Sequence, residues 1–201
     1  MTYEEIKLTK LGNLSTIISG YPFRGKIKED PNSEVAVVQI KDINTETGLN
    51  WENLVRTRLT SRRKPEWLKR GDILFTAHGN RNVAACLNEV NLKAVCSPHL
   101  FLIRLRDEIP VLPAFIAWQI NQVSAQQYLS TLATGSYITS IRRQVLENLP
   151  ISVPNISTQE AIVVFHEAAV REKQLLLDMI GNRNRQMRAL AVMALAKQKG
   201  D

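Results

Sequence analysis

The pattern of apolar and polar positions along the chain changes period twice. Up to about residue 106 the apolar residues form short runs or alternations of the strand type: 15–19, the β-branched run 35–40, then 73–77, 83–87, 94–96 and 99–105. Breakers separate them, including Gly20, Pro22 and Gly25, the polar loop 44–50, the Gly71-Asp72 turn, and a turn at 88–92. Over 113–132 the period lengthens, and Phe115, Ile116, Trp118, Ile120, Val123 and Tyr128 predict one or two helices. A short proline-flanked strand at 149–154 follows. Strands first and helix afterwards predict an α+β domain, mixed but mainly β, over residues 1–154.

The second change comes at Ser157. From there to about Lys199 the sequence contains no proline and reads as one helix, with Ser157 or Thr158 as its cap and Pro154 barring helix upstream. Such a helix is about 60 Å long, more than the preceding domain alone can cover. Ile162, Phe165, Ala169, Leu176, Met179, Ile180, Met187, Leu190 and Ala194 recur at steps of three, four and seven, which predicts a packing seam interrupted by Glu172 and Arg183. Residues 155–201 are therefore expected to form a coiled coil with a partner helix. The alternative is a hairpin folded at Gly181-Asn182-Arg183-Asn184, where helix propensity is weak.

Charge sharpens this picture. The net charge is +7, most of it carried by the first 154 residues. Within 55–70, Arg56, Arg58, Arg62, Arg63, Lys64, Lys69 and Arg70 stand against Glu66 alone. That run is a footprint for a polyanion, or else a solvated loop with no partner. The turn with Tyr21, Phe23, Arg24 and Lys26 mixes aromatic faces with positive charge. The strand over 73–77 delivers His78, Asn80, Arg81 and Asn82 to its end, and arginine can pair bidentately with guanine, asparagine with adenine. No apolar run spans a bilayer and the amino terminus lacks a signal-peptide core, so a cytoplasmic protein is expected. Cys86 and Cys96 match no metal spacing; they could face each other across a hairpin or be buried free thiols.

Catalytic patterns are missing. The sequence has no Gly-x-x-x-x-Gly-Lys-Ser/Thr loop, no Gly-x-Ser-x-Gly elbow, no His-Glu-x-x-His pair and no Asn/Asp-Pro-Pro-Tyr/Phe motif. A metal-dependent nuclease built on Asp72 and Glu89 would want a lysine where Asn91 stands. No motif asks for a metal ion or another cofactor, and a protein that binds without catalysing is expected.

Seven motifs in order, Gly20-Tyr21-Pro22-Phe23, Val38-Gln39-Ile40-Lys41-Asp42-Ile43, Lys69-Arg70-Gly71-Asp72-Ile73-Leu74, Ser97-Pro98-His99-Leu100-Phe101, Thr134-Gly135-Ser136, Leu149-Pro150-Ile151-Ser152-Val153-Pro154 and a helix containing Gln159, resemble the specificity subunits of type I restriction-modification systems. The resemblance covers nearly the whole chain. It implies a recognition domain for double-stranded DNA and a spacer helix that docks adenine methyltransferase (modification) subunits and a restriction translocase. Such subunits usually carry two domains and two antiparallel helices, whereas one of each is present here. The departure leaves a half-subunit that forms a homodimer, a fragment of a longer chain or a truncated gene product, and of these the homodimer is expected. On this reading Arg81, Asn80, Asn82 and His78 meet base edges, while Arg56, Arg58, Arg62, Arg63 and Lys64, followed by Arg24, Lys26, Ser136, Tyr137 and Arg143, meet phosphates. The competing reading is a protein-interaction module whose helix is a coiled coil and whose basic face meets an acidic protein.

Overall fold

The computed structural model describes residues 6–44, 48–79, 82–133 and 140–196. In chain order the elements are β1 (Lys7–Lys10), α1 (Leu11–Leu14), β2 (Ser15–Ser19), β3 (Ala36–Val38), β4 (Ile43–Asn44), β5 (Gly48–Leu49), β6 (Val55–Arg56), β7 (Ile73–Thr76), β8 (Ala84–Cys86), β9 (Ala94–Cys96) and β10 (Leu100–Leu105). Then come α2 (Pro113–Ile120), α3 (Val123–Leu132), α4 (Arg143–Glu147), β11 (Pro150–Val153) and α5 (Ile156–Ala196). The architecture is α+β with a long carboxy-terminal helix, and the chain divides into two compact units, 1–163 and 164–201.

The first unit is built on a four-stranded sheet in the order β2-β10-β7-β8. Its two central strands are apolar over Ile73–Phe75 and Leu100–Ile103, where both faces are covered, so alternate residues serve two cores. Ile73, Phe75 and Ile103 join Phe115, Ile116, Ile120, Leu129 and Leu146 of the helices on one side. Leu74, Leu100 and Leu102 join Ala36, Val38, Ala94 and Cys96 on the other. Those last residues belong to a three-stranded sheet, β6-β3-β9, in which β3 runs parallel to β9 and antiparallel to β6.

Side-chain amides stand in for missing strand partners. Asn121, at the end of α2, accepts the Ala84 N–H at 2.9 Å and donates to the Ala84 carbonyl at 2.8 Å. Gln119 treats Ser152 of β11 in the same way. Asp72, almost fully buried, accepts from the Lys69 N–H and from both Nε and Nη2 of Arg104. That arrangement gives the Gly71-Asp72 turn, with Gly71 at φ +85°, a purpose beyond reversing the chain.

Four expectations need correction. The strand foreseen over 35–40 ends at Val38, because the Gln39 side chain and the Asp42 carboxylate cap a 3₁₀ turn over Ile40–Asp42 from both sides. The polar loop 44–50 contains part of a small hairpin, β4 with β5. β1 and α1 were not foreseen, and β1 pairs antiparallel with β11, Lys7 opposite Val153. Finally, α5 starts one residue early: its cap is Asn155, whose Oδ1 accepts the Thr158 N–H at 2.7 Å.

The second unit is the rest of α5, which runs unbroken through Gly181, so the hairpin alternative does not hold. At 41 residues α5 is about 60 Å long. Among the described residues no helix is long and apolar enough to cross a membrane.

Candidate nucleic-acid interface

The turn after β2 joins most of the cationic candidates. Its approach is set by Gly20, where a Cβ would lie 1.9 Å from the Ser97 carbonyl oxygen, so only glycine fits there. Next, the Tyr21 hydroxyl donates to the Ser61 carbonyl at 2.9 Å and accepts the Ser61 N–H at 2.8 Å. One phenol therefore ties this turn to the segment carrying Arg62, Arg63 and Lys64. Those three, with Arg24 and Lys26, are exposed and make no ion pair with any described residue. Exposed, unneutralised cations held at a fixed spacing suit a phosphate backbone.

Other cations are already engaged. Arg58 pairs with Asp30, Arg143 pairs with Glu147 one helical turn on, and Arg56 donates to the Ser33 carbonyl. Asn82 spends its amide donor on the Thr76 carbonyl at 2.8 Å, which shapes the end of β7. His78 lies edge-on to His99 with ring centroids 5.1 Å apart. Burial lowers the pKa of His78, and the neighbouring His99 adds to the shift. Asn80, Arg81, Ser136 and Tyr137 lie outside the described residues.

Three of the separated sequence motifs meet at one cleft. Phe23, Gly25, Lys26 and Ile27 form one wall, Gln39, Ile40 and Lys41 a second, and Ser97, Pro98 and His99 a third, around about 630 Å³. Ser97 is buried, and its Oγ has no hydrogen-bond partner among the described residues, a condition that costs about 1–3 kcal/mol. Sequence reasoning did not assemble this cleft, although each wall belongs to a motif it had singled out. For two of the walls the signal was a polar residue placed just past a buried strand, Gln39 after β3 and Ser97 after β9. No described group of three or more His, Cys, Asp or Glu residues could hold a metal ion.

On α5 the seam residues Phe165, Ala169, Leu176, Ile180, Met187, Leu190 and Ala194 are exposed in the single chain, as is Met179. Ile162 differs: it packs against the domain's own core, so the exposed seam begins at Phe165. Val164, Leu175, Leu177, Val192, Met193 and Leu195 are exposed as well and lie off the seam. Successive residues advance by about 100°, which leaves Glu160, Glu167, Arg171, Asp178 and Arg185 on one narrow charged stripe. Gln159, singled out in the sequence as part of the seventh motif without a structural role, is fully buried. It accepts the Leu112 N–H and donates to the carbonyls of Pro110 and Pro154.

No protein-family model matches the chain, and no curated protein does. Among solved structures it is similar to the type I restriction-modification system S subunit from M. genitalium, with TM-score 0.59, 16% identity, and coverage of 100% of this chain and 48% of that one. The HsdS subunit from Thermoanaerobacter tengcongensis is similar at TM-score 0.65 and 17% identity, over 98% of this chain and 50% of that one. A chain from a structure of complex assembly and conformational transition in the type I R-M system gives TM-score 0.64 and 16% identity, over 92% and 43%. The chain spans about half the length of the solved structures it matches. Its fold is that of the S subunits of type I restriction-modification systems.

Proposed function

We propose that the chain is a non-catalytic, sequence-specific DNA-binding specificity subunit of a type I restriction-modification system, one that reads a half-site. The observation that carries this reading is the fold shared with S subunits along nearly the whole chain. The exposed cations at Arg24, Lys26, Arg62, Arg63 and Lys64 support DNA as the ligand. In this division of labour residues 1–154 read DNA and 155–201 pair with partners. Arg81, Asn80 and His78 at the end of β7 are assigned to base edges, and Ser136 and Tyr137 to the backbone.

The helix supports a homodimer. Paired antiparallel with a second copy, α5 would bury its seam, and a midpoint between Leu177 and Asp178 brings Glu172 of one copy opposite Arg183 of the other. Two-fold pairing is the commonest way for one surface to satisfy itself. Apolar positions off the seam remain for further helices, which suits docking of the methyltransferase subunits and the translocase.

Titration of a duplex at several salt concentrations tests the reading. The logarithm of the binding constant should fall linearly with the logarithm of salt, and replacing Arg62, Arg63 and Lys64 by alanine should reduce that slope by up to about three. Salt-insensitive binding, or none, would overturn DNA reading in favour of a protein-interaction module. Light scattering should give twice the chain mass, and a monomer at micromolar concentration would remove the dimer.

A further inference from the structure

Resting on the reading of the domain as a DNA binder, we propose that the cleft between the 23–27 turn, the 39–41 turn and Ser97-Pro98-His99 is a pocket for a single nucleotide. Lys26 and Lys41 take its phosphate, and Gln39 and His99 meet its base.

Charge comes first. Two lysines line the cleft and no carboxylate lines it among the described residues, so the favoured occupant is an anion. Size and wall chemistry exclude a bare phosphate as the natural fit. The volume of about 630 Å³ lies within the roughly 300–1,000 Å³ typical of ligand sites. Phe23, Ile27, Ile40 and Pro98 supply apolar wall that a phosphate alone would leave wet. A ligand with an anionic end and a flat heteroaromatic end matches both halves.

The polar groups are already oriented. The Gln39 side chain is fixed because it accepts the Asp42 N–H while the Asp42 carboxylate accepts the Gln39 N–H at 2.8 Å. Ser97 closes the floor of the cleft and is held there by its own N–H, which donates to the Val38 carbonyl at 2.8 Å. His99 is braced by His78. Phe23 of the first wall shares a turn with Tyr21, their rings 5.0 Å apart, and the Tyr21 hydroxyl bonds to Ser61 beside Arg62, Arg63 and Lys64. On the DNA-binding reading a nucleotide within DNA is the expected source and a free mononucleotide the other.

The test is lysine acetylation footprinting of the whole chain by mass spectrometry, with three probes: a mixed-sequence duplex, the four deoxynucleoside monophosphates, and inorganic phosphate. Lys26 and Lys41 should be protected by duplex and by mononucleotide but not by phosphate, while Lys93, stacked on Trp67, should react alike throughout. Lys26→Ala with Lys41→Ala should weaken mononucleotide binding at least about tenfold, whereas Lys7→Ala with Lys10→Ala, two exposed lysines outside the cleft, should leave it unchanged. Protection by mononucleotide alone would support the pocket with the free ligand as its source, and would count against DNA reading if the duplex failed to bind. A bound duplex that leaves both lysines reactive would overturn the pocket and spare DNA reading. Equal protection by inorganic phosphate would also overturn it, reducing the cleft to a simple anion site.

Discussion

Phe75 and Phe165 carry the same side chain into opposite circumstances. Phe75 stands in the middle of β7 with none of its surface exposed, packed between the sheet and the helices; Phe165 lies on α5 with 79% of its surface open in the single chain. The first unit consumes its apolar residues internally, in two cores that share one sheet. Along α5 they are displayed, on the seam and off it. The same side chain therefore determines a fold in one region and, under the proposed dimer, an association in the other, and the two should respond differently to mutation, salt and concentration.

Truncating the two phenylalanines is the sharpest way to break that contrast. Phe75→Ala should lower the stability of the domain by about 3–5 kcal/mol in chemical denaturation. Phe165→Ala should leave the same transition within about 0.5 kcal/mol and raise the concentration at which light scattering records the dimer. Equal losses in the domain transition would mean that the helix is not a separate element of stability. Next in size comes Arg104→Ala, which leaves the Asp72 carboxylate buried without its guanidinium. Because Arg104 is itself partly exposed, a loss of about 2–3 kcal/mol is expected, near the lower end for a broken buried pair, and urea denaturation should locate it in the first unit.

The elements most legible in the sequence were those whose local pattern and tertiary role agree. β7 and β10 read as strands because both their faces are buried, and α5 read as a helix because no proline or strong breaker interrupts it. Legibility failed where a partner distant in sequence decides the outcome. β1 spans only four residues and becomes a strand by pairing with β11, and the run at 35–40 is cut short by a reciprocal cap from Asp42. At the candidate interface the single cations were visible in the sequence. Which of them are spent was not, because Arg58 meets Asp30 and Arg56 meets Ser33 through loops that carry no periodic signal. The buried role of Gln159 was hidden for the same reason, since its partners at Pro110 and Leu112 are remote from it in sequence.

Two smaller effects sharpen the comparison. Asn155→Ala removes the cap of α5 and should cost about 1 kcal/mol. The loss should appear as fraying of the first turn in hydrogen exchange, while the amides of β7 and β10 keep their protection. The smallest effect concerns His78. Its folded-state pKa lies below the ordinary value because of burial and the nearby His99. As pH falls through about 6.5 the unfolded chain takes up its proton first. Stability contributed by the neutral imidazole is complete above that pH and lost below it, so the melting temperature should drop between pH 7 and pH 5, and less steeply in His78→Gln. An identical slope in the variant would remove His78 as the cause.

The pairing of β1 with β11 has a consequence for modularity. Lys7 lies opposite Val153 and Lys10 opposite Pro150, so the polypeptide enters and leaves the sheet-bearing body through adjacent antiparallel strands. A body whose incoming and outgoing strands are neighbours can be lifted out and replaced as a cassette, with the course of the flanking chain undisturbed. Grafting between other sequences therefore starts from two strands already held side by side, with the first turns of α5 carried along because Gln159 and Ile162 pack into the same body.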